Sequence, residues 1–338
     1  MKVGLIGKRS SGKTTLFEAV SGVNTAQHAG GLVNIAKVRV KDPSIDKLTE
    51  IFKPKKTTYA EFDMIDYNRA MDAGDAMLGS PGLISKCREL DALVIVSGVV
   101  EDVSSIKNDV NDIRVELNLL DAVILDAKIQ RMKKGAYDKQ EMALYEGLLA
   151  KLEANEVIDR SSITKDQNRW LSAFQLFALK PVMLAVNVTE ELLSSGNIKD
   201  LSLPGVPHMV LSAEIEKELS ALSGKERDEF LKEYGLLEPL SERFIRLVYE
   251  TMDLISFYTV GEDEVRAWSI TKGSSALCAA GKIHSDIERG FIRASTIHYD
   301  EFLKYGDENK AKAAGVVRSE GKEYIVQHGD IIHFKFNV

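Results

Sequence analysis

The stretch that decides the fold is VGLIGKRSSGKT, which occupies Val3–Thr14 near the N-terminus. Its last eight letters match the pattern GxxxxGK[ST], and the short apolar run before them predicts a buried strand. Thr15–Val20 then predicts the start of a helix. A strand, a glycine-bounded turn and a helix in this order bring backbone N–H groups and the positive end of a helix together on one oxyanion. The stretch therefore predicts a phosphate-binding loop within a parallel α/β sheet.

The separate parts of this loop have separate chemical roles. Gly7 and Gly12 allow the backbone to turn tightly, and Lys13 places a positive charge beside the β- and γ-phosphates of a nucleotide. The Thr14 hydroxyl is a ligand for Mg²⁺ in such loops. We therefore expect ATP or GTP as ligand and Mg²⁺ as cofactor, and Lys13 is also a candidate catalytic residue. The residues expected to bind the nucleotide in this loop are Gly7, Lys8, Arg9, Ser10, Ser11, Gly12, Lys13, Thr14 and Thr15.

A second ligand for the metal is expected at the end of a neighbouring strand, where an acidic residue holds Mg²⁺ through water. Tyr59–Asp66 predicts such a strand. Asp66 follows the apolar pair Met64-Ile65 and is our candidate, with Asp63 as the alternative. The expected metal ligands are thus Thr14 and Asp66.

A base-reading element is expected after the buried strand predicted at Val182–Asn187. Asn187-Val188-Thr189-Glu190 stands where guanine-specific proteins have NKxD. Glu190 is one methylene longer than the Asp that binds guanine, and Val188 removes the lysine that covers the base. The carbonyl of Asn187 can accept a hydrogen bond from the 6-amino group of adenine. The alternative interpretation is a helix start, capped by Asn187 or Thr189 with Glu190 in the first turn.

Apolar periodicity divides the chain into an α/β domain with an insertion and a β-rich C-terminal domain. Apolar residues recur at helical spacing between the α/β segments, where no proline occurs, and Lys133–Tyr137 interrupts this pattern. This predicts an inserted antiparallel helical hairpin. In the C-terminal part, one helix is predicted at Tyr299–Gly306, and Lys322–Val338 reads as strand material. The expected domains are 1–110 (P-loop domain, first part), 111–173 (helical hairpin), 174–254 (P-loop domain, second part) and 255–338 (β-rich domain).

The composition excludes several classes of protein. The 338 residues carry a net charge of −7 and only two cysteines, Cys87 and Cys278, without a metal-binding spacing. Neither a disulfide framework nor a zinc site is expected, and a reducing cytoplasm fits. The negative charge argues against a protein that coats nucleic acid, although a local basic face stays possible. No apolar run is long enough to span a membrane.

Several further segments, taken with the loop, resemble those of the YchF / Obg-like ATPase family of P-loop NTPases. The most specific of them is AGKIHSDIERGFIRA at Ala280–Ala294. The other segments that carry the resemblance are KDPSIDKL (Lys41–Leu48), KPKK (Lys53–Lys56), NVTE (Asn187–Glu190), LSAEIE (Leu211–Glu216), EGKEY (Glu320–Tyr324) and QHGD (Gln327–Asp330).

This resemblance implies an α/β fold with a Ras-like P-loop domain, an inserted helical arm and a C-terminal TGS domain of β-grasp type. It also implies a preference for ATP over GTP, dependence on Mg²⁺, and association with the ribosome or RNA. Gly12, Lys13 and Thr14 match the family's phosphate and metal residues, and Asn187 matches its base-binding Asn. By the same analogy Ser212, Ala213 and Glu214 lie beside the base.

The sequence also departs from the family at three positions around the γ-phosphate. The family's DxxG becomes Asp66-Tyr67-Asn68-Arg69, so that Arg69 replaces a glycine. Its side chain either turns to solvent or acts as an arginine finger, which makes Arg69 a candidate catalytic residue. The position of the switch threonine corresponds to Gly30, and that of a loop histidine to Lys107. These departures indicate either a divergent branch of the family or a protein that binds nucleotide and hardly hydrolyses it.

Three functions fit these observations. The first is a slow ATPase that acts as a nucleotide switch on a ribosomal or RNA partner, and the second is a nucleotide-binding protein whose hydrolysis is impaired. A P-loop kinase fits worst, because it leaves the C-terminal domain without a role. Among weaker candidates, Lys53–Lys56 is a solvated loop or a phosphate contact. His284, Arg289 and Arg293 either contact RNA or form a turn and a solvated strand face. The oligomeric state stays open.

Overall fold

The structure is a computed structural model that describes residues 1–25, 33–67, 81–98, 103–195 and 206–337. In these residues the strands are β1 Lys2–Ile6, β2 Asn34–Arg39, β3 Lys56–Thr58, β4 Glu61–Asp66, β5 Ala92–Ser97, β6 Val182–Asn187, β7 His208–Leu211, β8 Leu254–Thr259, β9 Glu264–Thr271, β10 Phe291–His298, β11 Arg318–Glu320 and β12 Asp330–Phe336. The α-helices are α1 Lys13–Ser21, α2 Pro43–Phe52, α3 Pro81–Arg88, α4 Val103–Met132, α5 Lys139–Glu153, α6 Lys165–Leu171, α7 Glu190–Ser195, α8 Ala213–Ala221, α9 Gly224–Glu233, α10 Leu240–Thr251, α11 Ala276–Ile283, α12 Ser285–Arg289, α13 Tyr299–Tyr305 and α14 Glu308–Ala313.

The contacts divide the chain into two compact units. The first consists of Met1–Ala36 and Asp63–Phe244, and the second of Lys37–Phe62 and Ile245–Val338. The four-part domain division stays a prediction, and the units differ from it because 37–62 belongs with the C-terminal residues. The cause is β3, which pairs in parallel with β9. No local pattern in the sequence could indicate a pairing between strands about 200 residues apart.

The first unit is built around a sheet of strand order β2-β4-β1-β5-β6-β7. Every pair from β4 to β7 is parallel. Five of the six residues of β6 are apolar, and β5 is buried along its whole length. Strands that are apolar along both faces are typical of parallel sheets covered on both sides. The carboxyl ends of β1, β4, β5, β6 and β7 therefore meet at one edge of the sheet.

A long helical hairpin follows β5. α4 has 30 residues, which corresponds to a length of about 45 Å, and the segment 133–138 connects it to α5. Asp138 caps α5 by accepting hydrogen bonds from the backbone N–H groups of Gln140 and Glu141 at 2.7 and 3.1 Å. The seam between the two helices buries Leu125 and Ile129 of α4 against Tyr145 and Leu148 of α5. The two helices are the ones expected on either side of Lys133–Tyr137.

The second unit contains a sheet of strand order β11-β10-β12-β8-β9-β3. β10 runs antiparallel to β11 and β12, whereas β12 and β8 are parallel. The apolar face of α11 packs on this sheet through Ala276, Ala279 and Ala280.

The prediction of a single helix in the C-terminal part was wrong, because the described residues there form four: α11, α12, α13 and α14. Helices of five to eight residues are too short to show a clear periodicity. Lys322–Val338 likewise contains one strand, β12, preceded by a turn-rich segment. No helix within the described ranges is long and apolar enough to cross a membrane.

Candidate functional site

The residues expected to bind nucleotide lie at the edge of the first sheet where its parallel strands end. β1 leads into the loop 7–12, and β4 ends at Asp66, which stands opposite Leu5 in the register. β6 ends at Asn187, opposite Leu211 at the end of β7. In open α/β sheets, ligands bind outside the carboxyl ends of the strands. The sheet thus collects residues from distant parts of the sequence.

The loop itself wraps around the side chain of Lys13. The Lys13 Nζ donates hydrogen bonds to the carbonyl oxygens of Gly7 at 2.9 Å and Lys8 at 2.6 Å, and to the Ser11 Oγ at 3.4 Å. Lys13 is 5% exposed. Burial lowers the pKa of its ammonium group, and the Asp66 carboxylate opposes this shift. The loop therefore holds one buried cation at the start of α1.

The other loop residues differ in exposure and conformation. Arg9 and Ser10 are exposed, whereas Ser11 is buried. Ser10 has a φ of 61°, a left-handed conformation that non-glycine residues rarely adopt. Thr15 lies in the first turn of α1. The helix thus begins directly after the turn, as an oxyanion-binding loop requires.

The two expected metal ligands are in contact. The Thr14 Oγ1 donates a hydrogen bond of 2.8 Å to the Asp66 Oδ2, and the Asn34 amide nitrogen lies 3.3 Å from the same oxygen. Asp66 is completely buried. Asp63 instead stands opposite Lys2 at the other end of β1, so that the structure brings Asp66 to Thr14 and not the alternative.

This pair of oxygen donors fits Mg²⁺. Mg²⁺ prefers oxygen ligands and usually keeps several waters together with substrate phosphates, so that one or two protein ligands are enough. In the described part of the chain, no group of three or more His, Cys, Asp and Glu is arranged to hold a metal. A hydroxyl and a buried carboxylate beside a phosphate loop are therefore a sufficient set for a nucleotide-bound cation.

A second lysine of the loop is anchored to the helical hairpin. The Lys8 Nζ lies 2.6 Å from the Asp109 Oδ1 and 3.0 Å from the Asp112 Oδ2, both on α4. The Ser97 Oγ donates to the other oxygen of Asp109 at 3.2 Å. Hydrogen bonds to the two carboxylates raise the pKa of Lys8. We did not predict this contact, although two acids three residues apart share one face of a helix and could have indicated a cation opposite them.

The Asn187 side chain connects the loop to the start of α8. Its Nδ2 donates to the Ser11 carbonyl oxygen at 3.3 Å, and its Oδ1 accepts from the Ala213 N–H at 2.9 Å. A primary amide has two donor hydrogens and two acceptor lone pairs. One of each is used here, so one of each is left for a bound base. The alternative of a helix start holds for Thr189, whose Oγ1 accepts a hydrogen bond of 3.4 Å from the Leu192 N–H in α7. It does not account for Asn187, because its amide joins two other segments.

Glu190 and Val188 have different environments. Val188 is 2% exposed and belongs to the core of the first unit. The Glu190 carboxylate accepts a hydrogen bond of 2.8 Å from the Tyr234 hydroxyl. This bond, with a smaller contribution from burial, raises the pKa of Tyr234 to about 12. Glu190 thus lies in the first turn of α7 and contacts a residue at the end of α9.

The last expected segment forms the start of α8. Ser212 is buried and caps this helix, with its Oγ 3.5 Å from the Ile215 N–H, while Glu214 is exposed. Glu216 has a structural role that we did not predict: it is 2% exposed and accepts from the Leu240 and Ser241 N–H groups at 2.7 and 2.9 Å. The carboxylate thus satisfies the free N–H groups at the start of α10.

The remaining candidates lie elsewhere. Arg69 and Gly30 fall outside the described residues, and Lys107 is exposed on α4. In the second unit, Lys55 and Lys56 pair with Asp263 and Glu264 at 2.8 and 3.4 Å. These lysines therefore lie at the β3–β9 junction, as solvated ion pairs.

The run Ala280–Ala294 has a local structural role. His284 caps α12 by accepting a hydrogen bond of 3.1 Å from the Asp286 N–H, and Arg289 pairs with the Asp286 carboxylate. Arg293 is exposed, with its Nη1 3.5 Å from the Ser319 Oγ. The turn-forming interpretation of His284 agrees with this geometry.

This chain is similar to known proteins along its whole length. A family model named YchF-GTPase_C, described as a protein of unknown function, matches residues 254–337. The chain is 35% identical to the "Ribosome-binding ATPase YchF" of Bacillus subtilis (strain 168) over 370 residues, covering 100% of both. It is 34% identical to the protein of the same name from Escherichia coli O157:H7 over 364 residues, covering 100% of this chain and 99% of the relative.

Two solved structures have a similar fold. The Schizosaccharomyces pombe YchF GTPase is 28% identical, with a TM-score of 0.83 over 99% of this chain and 97% of that one. A GTP-binding protein from Pyrococcus horikoshii OT3, 18% identical with a TM-score of 0.57, shares the fold. The expected α/β fold, a P-loop domain with a helical insertion and a C-terminal domain, is thereby confirmed. Because its similarity to these relatives extends over the full length, the chain belongs to the YchF family.

Proposed function

We propose that this protein binds ATP with Mg²⁺ at the loop 7–14, hydrolyses it slowly, and uses the bound nucleotide to control its association with the ribosome. One observation carries the proposal: the Lys13 ammonium group is enclosed by the loop while the Thr14 hydroxyl contacts the Asp66 carboxylate. A buried cation beside a pair of oxygen ligands is the combination that a magnesium-bound triphosphate needs.

The phosphates are held by this chain's own groups. Lys13 donates to loop carbonyls, and on binding it exchanges some of these bonds for phosphate oxygens, which form stronger charge-assisted bonds. Thr14 and Asp66 would hold Mg²⁺, which neutralises phosphate charge when bound. The N–H groups of the loop and of the first turn of α1 face the same anion.

Adenine is the base that these side chains support. Glu190 is bonded to Tyr234 and Val188 is buried, so neither replaces the Asp and Lys that bind guanine. Asn187 keeps one free lone pair on Oδ1 for the 6-amino group of adenine. Loss of a hydrogen-bond set that matches guanine removes most of the advantage of GTP.

Slow hydrolysis follows from the departures at the γ-phosphate. Phosphoryl transfer depends on positioning water and stabilising charge. By the resemblance to the family, Gly30, Arg69 and Lys107 stand at the positions of its switch threonine, its DxxG glycine and its loop histidine. Their loss equally supports the second candidate, a nucleotide-binding protein with impaired hydrolysis. Ribosome association is supported by the names of the relatives, "Ribosome-binding ATPase YchF".

Calorimetric titration with ATP, GTP, ADP and GDP, with and without Mg²⁺, tests the binding site. We expect ATP to bind more tightly than GTP, and Lys13→Ala to weaken ATP binding on the order of a hundredfold, because a buried charge-assisted contact is lost. Lys134→Ala, an exposed lysine in the connection between α4 and α5, is the matched control. Unchanged affinity in a folded Lys13→Ala protein would refute the nucleotide site.

Single-turnover phosphate release with saturating Mg·ATP separates the two candidates. A slow but measurable rate supports the ATPase, and no release with tight binding supports the hydrolysis-impaired protein. Arg69→Ala tests the arginine finger, which predicts a loss of about a thousandfold in rate at unchanged affinity. Cosedimentation with ribosomes in the presence of ATP, ADP or no nucleotide tests the partner, and equal binding in all three would contradict nucleotide control.

A further inference from the structure

The second unit contains a cavity that the nucleotide site does not use. It lies between one face of β10 and β12 and the helices α13 and α14, and has a volume of about 260 Å³. Its floor is apolar, with Ile297 and Ile331 from the sheet and Phe302 from α13. All three side chains are at least 94% buried. The cavity is close to the lower size limit of small-molecule sites, which measure roughly 300–1,000 Å³ and are mostly apolar.

The mouth of the cavity is polar and carries positive charge. Ser295, His333 and Lys335 line it from the sheet, because residues at alternate positions along a strand share one face. Lys312 lines it from α14, where it pairs with Glu308 at 3.0 Å. Lys335 forms no ion pair with any described residue, so no carboxylate in the described part of the chain compensates its charge.

A second cation without a described carboxylate partner stands beside Lys335. Arg293 lies directly opposite Lys335 in the antiparallel pair of β10 and β12, and both are exposed. Like charges directly opposite each other on neighbouring strands are destabilising. Among the described residues no carboxylate pairs with Arg293, whose Nη1 contacts only the Ser319 hydroxyl at 3.5 Å. An anion between the two side chains would relieve the repulsion and accept hydrogen bonds from both.

We propose that this cavity binds a small organic anion, whose apolar body packs on Ile297, Phe302 and Ile331 and whose acidic group lies between Arg293 and Lys335. A planar guanidinium and a flexible ammonium are suited to a phosphate, sulfonate or carboxylate. The ligand is small because a volume of about 260 Å³ admits no more than two aromatic ring systems or a short aliphatic chain. The residues that line the cavity belong to the second unit, whereas the nucleotide loop belongs to the first.

Fluorescence titration with anilinonaphthalene sulfonate, an aromatic sulfonate, tests the proposal on the full-length protein with saturating Mg·ATP. We expect the sulfonate to bind at one saturable site. The uncharged analogue phenylnaphthylamine should bind there with an affinity at least about tenfold lower. Arg293→Gln with Lys335→Gln should weaken sulfonate binding by about tenfold or more. Val317→Phe, which fills the cavity from its wall, should abolish it. Arg289→Gln removes an exposed arginine that pairs with Asp286, and should change nothing.

Further measurements test the proposal if one of these variants folds poorly. Lys335→Gln alone should leave the melting temperature unchanged or raise it, because it removes a like-charge contact. The same substitution should still weaken the binding of the sulfonate probe. Competition by octanoate and by octyl phosphate distinguishes a carboxylate from a phosphate ligand, and inorganic phosphate alone should compete poorly. Equal binding of charged and uncharged probes would overturn the proposal. So would RNA binding that responds to the charge variants but not to Val317→Phe, which would assign the face to nucleic acid.

Discussion

Gly12 shows how closely the nucleotide loop is fitted to its neighbours at the scale of single residues. Its φ is 87°, in the left-handed region that favours glycine, and a Cβ built on it would lie 2.1 Å from the Asn187 Nδ2. The Asn187 amide in turn supports the Ser11 carbonyl oxygen and the Ala213 N–H. One side chain therefore limits what can stand in the loop and also holds the start of α8.

Gly12→Ala is predicted to lower both ATP affinity and stability, because alanine meets Asn187 and must adopt a positive φ. Asn187→Ala alone should cost about 1–2 kcal/mol, since it leaves a buried N–H without its acceptor. The double variant should lose less than the sum of the single losses, as the clash disappears while the backbone strain persists. Thermal denaturation and calorimetry measure all three variants. Strict additivity would show that the Gly12–Asn187 contact does not restrict the loop.

At the scale of elements, one carboxylate joins α1, α8 and the segment after α1. The Glu18 Oε1 accepts from the Thr25 N–H and Oγ1 at 2.9 and 2.6 Å, and its Oε2 accepts from the Lys217 Nζ at 2.7 Å. Its side chain is 12% exposed. Burial alone would raise the pKa of Glu18, but the hydrogen bonds from Lys217 and Thr25 outweigh it and lower the pKa.

This shift predicts a pH-dependent contribution to stability. Because folding lowers the pKa of Glu18, its charge stabilises the protein at pH values above 4.5, the ordinary pKa of a glutamate. This contribution is lost as the pH falls through the lower pKa of the folded state. Glu18→Gln should therefore reduce the free energy of unfolding at pH 7 by about 1 kcal/mol, and the difference from the unmodified protein should shrink as the pH falls below 4.5. Urea denaturation of both proteins at pH 7 and below pH 4.5 measures this difference.

The control for this experiment is Glu146→Gln on α5. Glu146 forms an exposed ion pair with Lys133 at 3.2 Å, so it should have little effect at either pH. A Glu18→Gln difference that is equally large at acidic pH would contradict an origin in the charge of the carboxylate.

At the scale of the whole molecule, the second unit depends on a segment from the N-terminal part of the sequence. β3 extends its sheet beside β9. The Phe52 ring of α2 stacks on Phe302 with centroids 5.4 Å apart, and the Tyr258 hydroxyl donates to the Asp42 Oδ2 at 2.7 Å. Burial and the Asp42 carboxylate raise the pKa of Tyr258, which stays protonated and keeps this bond at any physiological pH.

A fragment of residues 245–338 is predicted to be less stable than the same unit in the full chain, because it exposes the edge of β9 and one face of Phe302. Adding a synthetic peptide of residues 37–62 should raise its melting temperature in a concentration-dependent way. Circular dichroism during heating measures both effects, with a scrambled peptide as control. A fragment that melts at the same temperature with and without the peptide would show that the unit is complete without α2 and β3.

Local patterns in the sequence were sufficient for much of this protein. The loop Gly7–Thr14 follows from its glycines and its lysine, and the predicted strand Val182–Asn187 coincides with the observed β6. Short apolar runs and glycine-bounded turns act through neighbouring residues, so they are visible without a structure. Apolar periodicity likewise indicated the inserted helical hairpin and a separate β-rich C-terminal part.

Only the tertiary structure decided how these parts contact each other. The ion pairs of Lys8 with α4, the support of the loop by Asn187, and the transfer of 37–62 to the C-terminal unit all join residues about 100 to 200 positions apart. The cavity over β10 and β12 likewise needs strand register and helix placement together. Such contacts depend on how the chain returns on itself, and neither periodicity nor residue type at one position encodes that path.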